Sequence, residues 1–146
     1  MTNALKTFLW FDTDLEAVLE HYREVFGAEV HSQFRDETGR LFTADVSIYG
    51  HPLILMSAPG GPVFNDSISL SLNVDGQAEV DRIWDALTAD GEPGKCGWCV
   101  DKYGVSWQVS PVQMRVWLEH KDPQVRAYAW PALMSMTKIV IDDLHE

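Results

Sequence analysis

The sequence predicts an α+β fold of two successive strand–helix–three-strand (βαβββ) modules, each laying a helix on one face of a curved antiparallel sheet. Three observations predict it. The segment ISLSLNV alternates Ile68, Leu70, Leu72 and Val74 with Ser69, Ser71 and Asn73, the period of two that marks a half-buried strand. An amphipathic helix follows, with Val80, Ile83, Trp84 and Leu87 on one stripe, and beyond a Gly-rich crossing comes a second alternating strand, VSWQVSP. The first half repeats this grammar at a shift of 62 residues, which lays Val18 on Val80, Tyr22 on Trp84 and Val25 on Leu87.

Module one, residues 4–59, opens with a strand at 6–11. Asp14 is placed to N-cap a helix in which Leu15, Val18, Leu19, Tyr22, Val25 and Phe26 recur at helical spacing, and Gly27 closes it. Three strands follow at 29–36, 41–49 and 52–58, with turn signals at 36–40 and at Gly50 and His51. Gly60, Gly61 and Pro62 make a linker. Module two spans 66–111, its helix terminated by Gly91, Pro93 and Gly94. Near the ends of the halves the shift falls to 54, placing Tyr49 and Gly50 on Tyr103 and Gly104, so the second module is shorter in its middle hairpin. Residues 112–146 form a helical extension with helices at 112–120 and 123–136. Asp122 caps the second of these and Pro123 occupies its first turn. Pro131 is expected to kink or break that helix, and Ile139, Ile141 and Leu144 are expected to pack. The whole, 1–146, reads as one domain.

Eleven basic residues against twenty-two acidic ones give a net charge of −11. Such a surface repels phosphate backbones and anionic bilayers, so neither nucleic acid nor membrane is expected as a partner. No run approaches the roughly 18 apolar residues of a membrane span. The first residues lack the basic and apolar regions of a signal peptide, which makes the cytoplasm the expected compartment. A chain of this length buries roughly 68–70% of its unfolded surface and needs no covalent staple. Its two cysteines, Cys96 and Cys99, form CGWC. No helix pattern follows to activate a redox thiol. An extended chain would hold the two α-carbons about 10 Å apart, and no second ligand pair exists to complete a zinc site. Two separate thiols in a strand are expected.

The alternation that reveals the strands also sorts their faces. Ser69, Ser71 and Asn73 lie opposite one apolar stripe, and Ser106, Gln108 and Ser110 lie opposite Val105, Trp107 and Val109. Together they make a patch of neutral donors and acceptors suited to a small polar or partly aromatic ligand, with Phe64, Asn65 and Trp98 at its rim. The competing expectation is that these faces meet solvent or a second copy. Trp10, Trp84 and Trp107 are expected in the core. Catalytic equipment is thin: no GxSxG elbow is present, Cys96 has only Lys95 and Lys102 as basic neighbours, and Asp45 would serve as a base only if it faced the cleft.

FLWFDTDLEAVLEHYREVFGAEV resembles the opening strand and helix of the vicinal oxygen chelate superfamily, the glyoxalase, bleomycin-resistance and extradiol-dioxygenase group. FND, SISLSLNVDGQAEVDRIWDALTADG and CGWCVDKYGVSWQVSP resemble its PhnB-like branch, which carries the label 3-demethylubiquinone-9 3-methyltransferase. The resemblance covers essentially the whole chain, including MSMTKIVIDDL. It departs at Cys99, where an aliphatic residue is commoner, and at Trp130 and Pro131 in the last helix. It implies paired βαβββ modules, a cleft inside a curved sheet and a homodimer. The label's chemistry commonly uses a Gly-rich strand-to-helix turn to hold a nucleotide-type methyl donor, and no GxGxxG occurs here.

The resemblance also implies where metal ligands would stand: Thr7, Ser69, Gln108, and Met56 (or Ile54 if the alignment slides). Threonine, serine and methionine are poor ligands for zinc, nickel or iron, and none of His21, His31, His51, His120 and His145 falls on a ligand position. The expectation is a cleft without metal or cofactor, formed by Thr7, Met56, Phe64, Asn65, Ser69, Ser71, Asn73, Trp98, Ser106 and Gln108. It would bind a small molecule. The alternatives are a metal-assisted lyase, isomerase or dioxygenase of the same superfamily, and a dimerising module with a vestigial cleft.

Overall fold

In the computed structural model, which describes residues 2–146, the chain divides into one unit ending at Val63 and a second of Phe64–Glu146. The first holds β1 (Thr7–Phe11), α1 (Leu15–Phe26), β2 (Glu29–Arg35), β3 (Leu41–Ile48) and β4 (His51–Ser57), in sheet order β1-β4-β3-β2. The Asp14 carboxylate accepts the Glu16 N–H at 3.1 Å, and Gly27, at φ 64°, returns its N–H to the Arg23 carbonyl at 2.8 Å. Both helix ends are thereby satisfied. The six predicted apolar residues of α1 are all buried, as are Leu9, Phe11, Ala44, Val46, Leu53 and Leu55 on the sheet face it covers. Tyr49 and Gly50, at φ 48° and 78°, make the two-residue turn from β3 to β4, the left-handed pair that a tight hairpin requires.

The second unit repeats the plan with β5 (Leu70–Val74), α2 (Gln77–Thr88), β6 (Glu92–Pro93), β7 (Trp98–Val100) and β8 (Ser106–Pro111), in order β5-β8-β7-β6. All three residue pairs matched by the 62-residue shift are buried. Neither sheet is purely antiparallel as expected: β1 pairs β4, and β5 pairs β8, in parallel. The crossover helix returns the chain to its starting end and two hairpins then reverse it twice, so the fourth strand runs with the first.

CGWC also differs from expectation. Cys96 and Gly97, at φ 56° and 83°, are the centre of a tight turn closed by Trp98 N–H on the Lys95 carbonyl at 2.9 Å. Only Cys99 lies in a strand, and it is buried.

Beyond β8 come α3 (Met114–Leu118), α4 (Pro123–Ser135) and a 3-10 turn, Ile141–Leu144. Asp122 caps α4 through Gln124 N–H at 2.9 Å. The helix continues through Pro131 instead of breaking there. The ring removes only the partner of the Ala127 carbonyl, and Ala127 is exposed, so water can take that role. Leu133, Ile139 and Leu144 form a small core with Cys96, Met114 and Trp117 packed against it. The Gln77 side chain ties this tail to α2, donating to the Ile139 carbonyl at 2.9 Å and accepting Ile141 N–H at 2.8 Å.

Candidate functional site

The polar face of the second sheet is organised by strand register. Ser71 pairs with Gln108, and Gln108 pairs with Trp98, so the three side chains form one row across β5, β8 and β7. Gln108 donates its amide to the Ser69 hydroxyl at 2.9 Å, which fixes the amide plane. One step along, Asn73 pairs with Ser110. Ser71 and Asn73 are exposed, whereas Ser106 and Ser110 are only 2% and 7% exposed. Ser106 spends its hydroxyl on the Asp66 carboxylate at 2.7 Å. An open cavity of about 490 Å³ adjoins Trp98, lined also by Asp66, Lys95, Cys96, Val100 and Met134.

The structure thus brings Ser69, Ser71, Trp98 and Gln108 together, with Asn73 and Ser106 on the same face. Phe64 and Asn65 have structural work instead. Phe64 packs over Gly104, within 3.7 Å of where a Cβ would stand, and the Asn65 side chain accepts Ser67 N–H at 2.8 Å to form a turn. Asp66 and Met134 were not among the residues singled out from the sequence, and Lys95 entered only as a basic neighbour of Cys96. The only hint was Asp66's place at the end of FND, since Met134 enters from the extension.

In the first sheet the two expected positions diverge. Met56 lies beside Trp10 and Thr43 on the face away from α1. Thr7 pairs with Leu53 on the opposite, helix-side face, where its hydroxyl meets His51 Nε2 at 2.8 Å. Trp10, expected in the core, sits on the open face and donates to the Ala58 carbonyl at 2.9 Å. In FLWF every residue is apolar, so alternation could not assign the faces; packing put Leu9 and Phe11 inward and Phe8 and Trp10 outward. Asp45 does share Met56's face, but it is ion-paired to Lys6 at 2.7 Å.

The donor set does not suit a chelated transition metal. Ser69 and Gln108 are hydrogen-bonded to each other, Thr7 and Met56 point to opposite faces of their sheet, and among the described residues no three His, Cys, Asp or Glu side chains gather into a metal-binding group. Nor is Cys99 a nucleophile: burial and the nearby Asp101 charge push its thiol up to about 12, far from the thiolate form at neutral pH.

The chain is similar in structure to the PhnB protein of Bacillus cereus, at 24% identity and TM-score 0.68 over 75% of this chain and 99% of that one. It is similar to protein PA1353 of Pseudomonas aeruginosa at 20% identity and TM-score 0.63, over 75% and 98%. It also resembles the fosfomycin resistance protein FosX of Listeria monocytogenes, solved with Mn(II) and sulfate, at 18% identity and TM-score 0.55, over 73% and 89%. No curated protein matches it. At these identities the likeness establishes the fold. A family model described as 3-demethylubiquinone-9 3-methyltransferase matches residues 3–110. The match spans well over half of the chain, which therefore belongs to that family, and its paired βαβββ units share the fold of a glyoxylase/bleomycin resistance protein/dioxygenase domain.

Proposed function

We propose that this protein binds a small molecule on the polar face of its second sheet, by hydrogen bonds and ring stacking and without a metal. The Ser71–Gln108–Trp98 row carries the reading. It sets an aligned hydroxyl, an amide held in place by Ser69, and an indole side by side, which is the mixture of few polar groups and one aromatic wall that small-molecule sites use. Sequestration or sensing needs nothing more.

A thermal-shift screen of metabolites and divalent metals tests it. A ligand at one hundred times its Kd adds about 2.7 kcal/mol to stability, and Gln108→Leu should abolish that shift while leaving the unliganded melting temperature near its original value. A shift unaffected by Gln108→Leu, or a stoichiometric transition metal found by elemental analysis, overturns the reading.

The working unit is taken to be a homodimer, as the family resemblance implies, acting in the cytoplasm. Phe8 and Phe34, 52% and 60% exposed on the open face of the first sheet, support a covering partner. Sedimentation as a monomer at micromolar concentration would remove this part of the proposal.

A further inference from the structure

We infer that the C-terminal extension supplies one wall of the ligand site and selects cationic ligands with a flat apolar body. The inference rests on the binding reading above and names its ligand class. Trp98 belongs both to the polar row and to the 490 Å³ cavity beside it, a volume within the roughly 300–1,000 Å³ of small-molecule sites. The lining also includes Met134 of α4. The family match ends at residue 110, so this wall comes from outside the matched βαβββ units.

Met134 is held in place, not hung on a loose tail. Cys96 and Gly97 donate their backbone N–H groups to the Met136 and Thr137 carbonyls at 2.9 and 2.7 Å. The extension is therefore bonded to the same turn that carries the chain into Trp98. Ile139, fully buried, packs over Gly97 and anchors the junction from below.

The chemistry of the lining specifies the ligand. The indole face of Trp98 attracts a cation and stacks with a planar ring, and a methionine thioether packs well against an aromatic edge. The cavity's charged groups are Asp66 and Glu92 against Lys95, an excess of one negative charge. Asp66 is oriented by the hydroxyl of Ser106 at 2.7 Å. An arylalkylamine meets all of these at once, its ring between Trp98 and Met134 and its ammonium on Asp66. The corresponding arylalkyl carboxylate would be repelled.

Calorimetric titration of the full chain with phenethylamine and, separately, 3-phenylpropionate tests the inference. The amine should bind saturably and at least tenfold more tightly than the acid. Asp66→Asn, whose amide oxygen still accepts from Ser106, should weaken the amine at least tenfold. Met134→Trp, which fills the cavity, should do the same, with circular dichroism confirming that both variants are folded. Equal binding of amine and acid, or titrations unchanged by either substitution, overturns the inference. If the metabolite screen yields a ligand that depends on Gln108 but not on Met134, the extension's role falls and the binding reading stands. If no compound gives a Gln108-dependent shift, both fall.

Discussion

The Asp101 carboxylate accepts the indole N–H of Trp107 at 2.9 Å, with both residues buried, at 3% and 1% exposure. Its other oxygen accepts the backbone N–H groups of Tyr103 and Val105 at 2.9 and 3.1 Å. Gly104, at φ 91°, closes the same turn by donating to the Asp101 carbonyl at 3.0 Å. The DKYGVSWQ motif is therefore a hairpin turn wired through one carboxylate to the core tryptophan of β8. Its spacing is explained by folding: Asp organises the turn, Gly supplies the left-handed residue, and Trp takes the remaining oxygen.

Asp101→Ala should accordingly be severe. It strands three donors, one of them a buried indole, and hydrogen bonds to a charged group contribute about 1.5–3 kcal/mol each. Urea unfolding should show a loss of about 3 kcal/mol or more. In a double-mutant cycle with Trp107→Phe, a coupling of about 1.5 kcal/mol or more should appear; additive losses would mean that the contact does not carry the stability.

The two thiols should separate cleanly in chemistry. Cys99 is buried with its thiol pushed up to about 12, first by burial and then by Asp101's charge, whereas Cys96 is half-buried at a turn. At pH 8 a maleimide should label one thiol per folded chain and two per unfolded chain, and Cys96→Ser should remove the folded-state label. Because the folded chain keeps the Cys99 proton that the unfolded chain releases from about pH 9, this group's contribution to stability is complete below that pH and is lost as pH rises toward 12. Labelling of Cys99 in the folded chain at pH 8 would contradict the assignment.

What could be read from the sequence depended on contrast between neighbouring residues. ISLSLNV alternates apolar with polar, so its faces were assigned, and Ser71 and Asn73 do share a face with Gln108. FLWF offers no contrast, and there the faces of Trp10 and Thr7 went to the side that packing chose. Helix ends were readable because Asp14, Gly27 and Asp122 each have one strong local role. Tertiary contacts have no such local signature. Nothing in the spacing of Met134 or Asp66 announces a shared cavity, and nothing in Gln77 announces that its amide reaches a tail more than sixty residues away.

That Gln77 contact predicts a local defect. Its amide makes one bond as donor and one as acceptor to the backbone at Ile139 and Ile141, and Lys138 adds an ion pair to Asp81 at 2.9 Å. Lys138 and Gln77 together hold the Asp81 carboxyl below its ordinary value. Gln77→Ala should lower stability by about 1–2 kcal/mol and speed hydrogen exchange at residues 139–144 while leaving the amides of β3 and β4 unchanged. Uniform acceleration across the chain, or none at 139–144, would show that the tail is not held by this side chain.

Two glycines with nearly the same backbone angle allow strain and space to be told apart. Gly39 and Gly97 have φ of 85° and 83°, so an alanine at either pays the left-handed penalty of roughly 1–2 kcal/mol. A Cβ at Gly39 would meet nothing within 4 Å, whereas at Gly97 it would stand 2.7 Å from Ile139 Cδ1 and 2.9 Å from the Val109 carbonyl oxygen. The Ile139 side chain is buried and the Val109 carbonyl is backbone of β8, where the Val109 N–H is itself bonded to the Gly97 carbonyl at 2.7 Å, so neither can yield cheaply. Gly97→Ala should therefore cost at least about 1–3 kcal/mol more than Gly39→Ala, and it should loosen the extension specifically, seen as faster hydrogen exchange at 133–144. Equal losses for the two substitutions would mean that Ile139 does not seat on Gly97, and the wall that Met134 provides would lose its anchor.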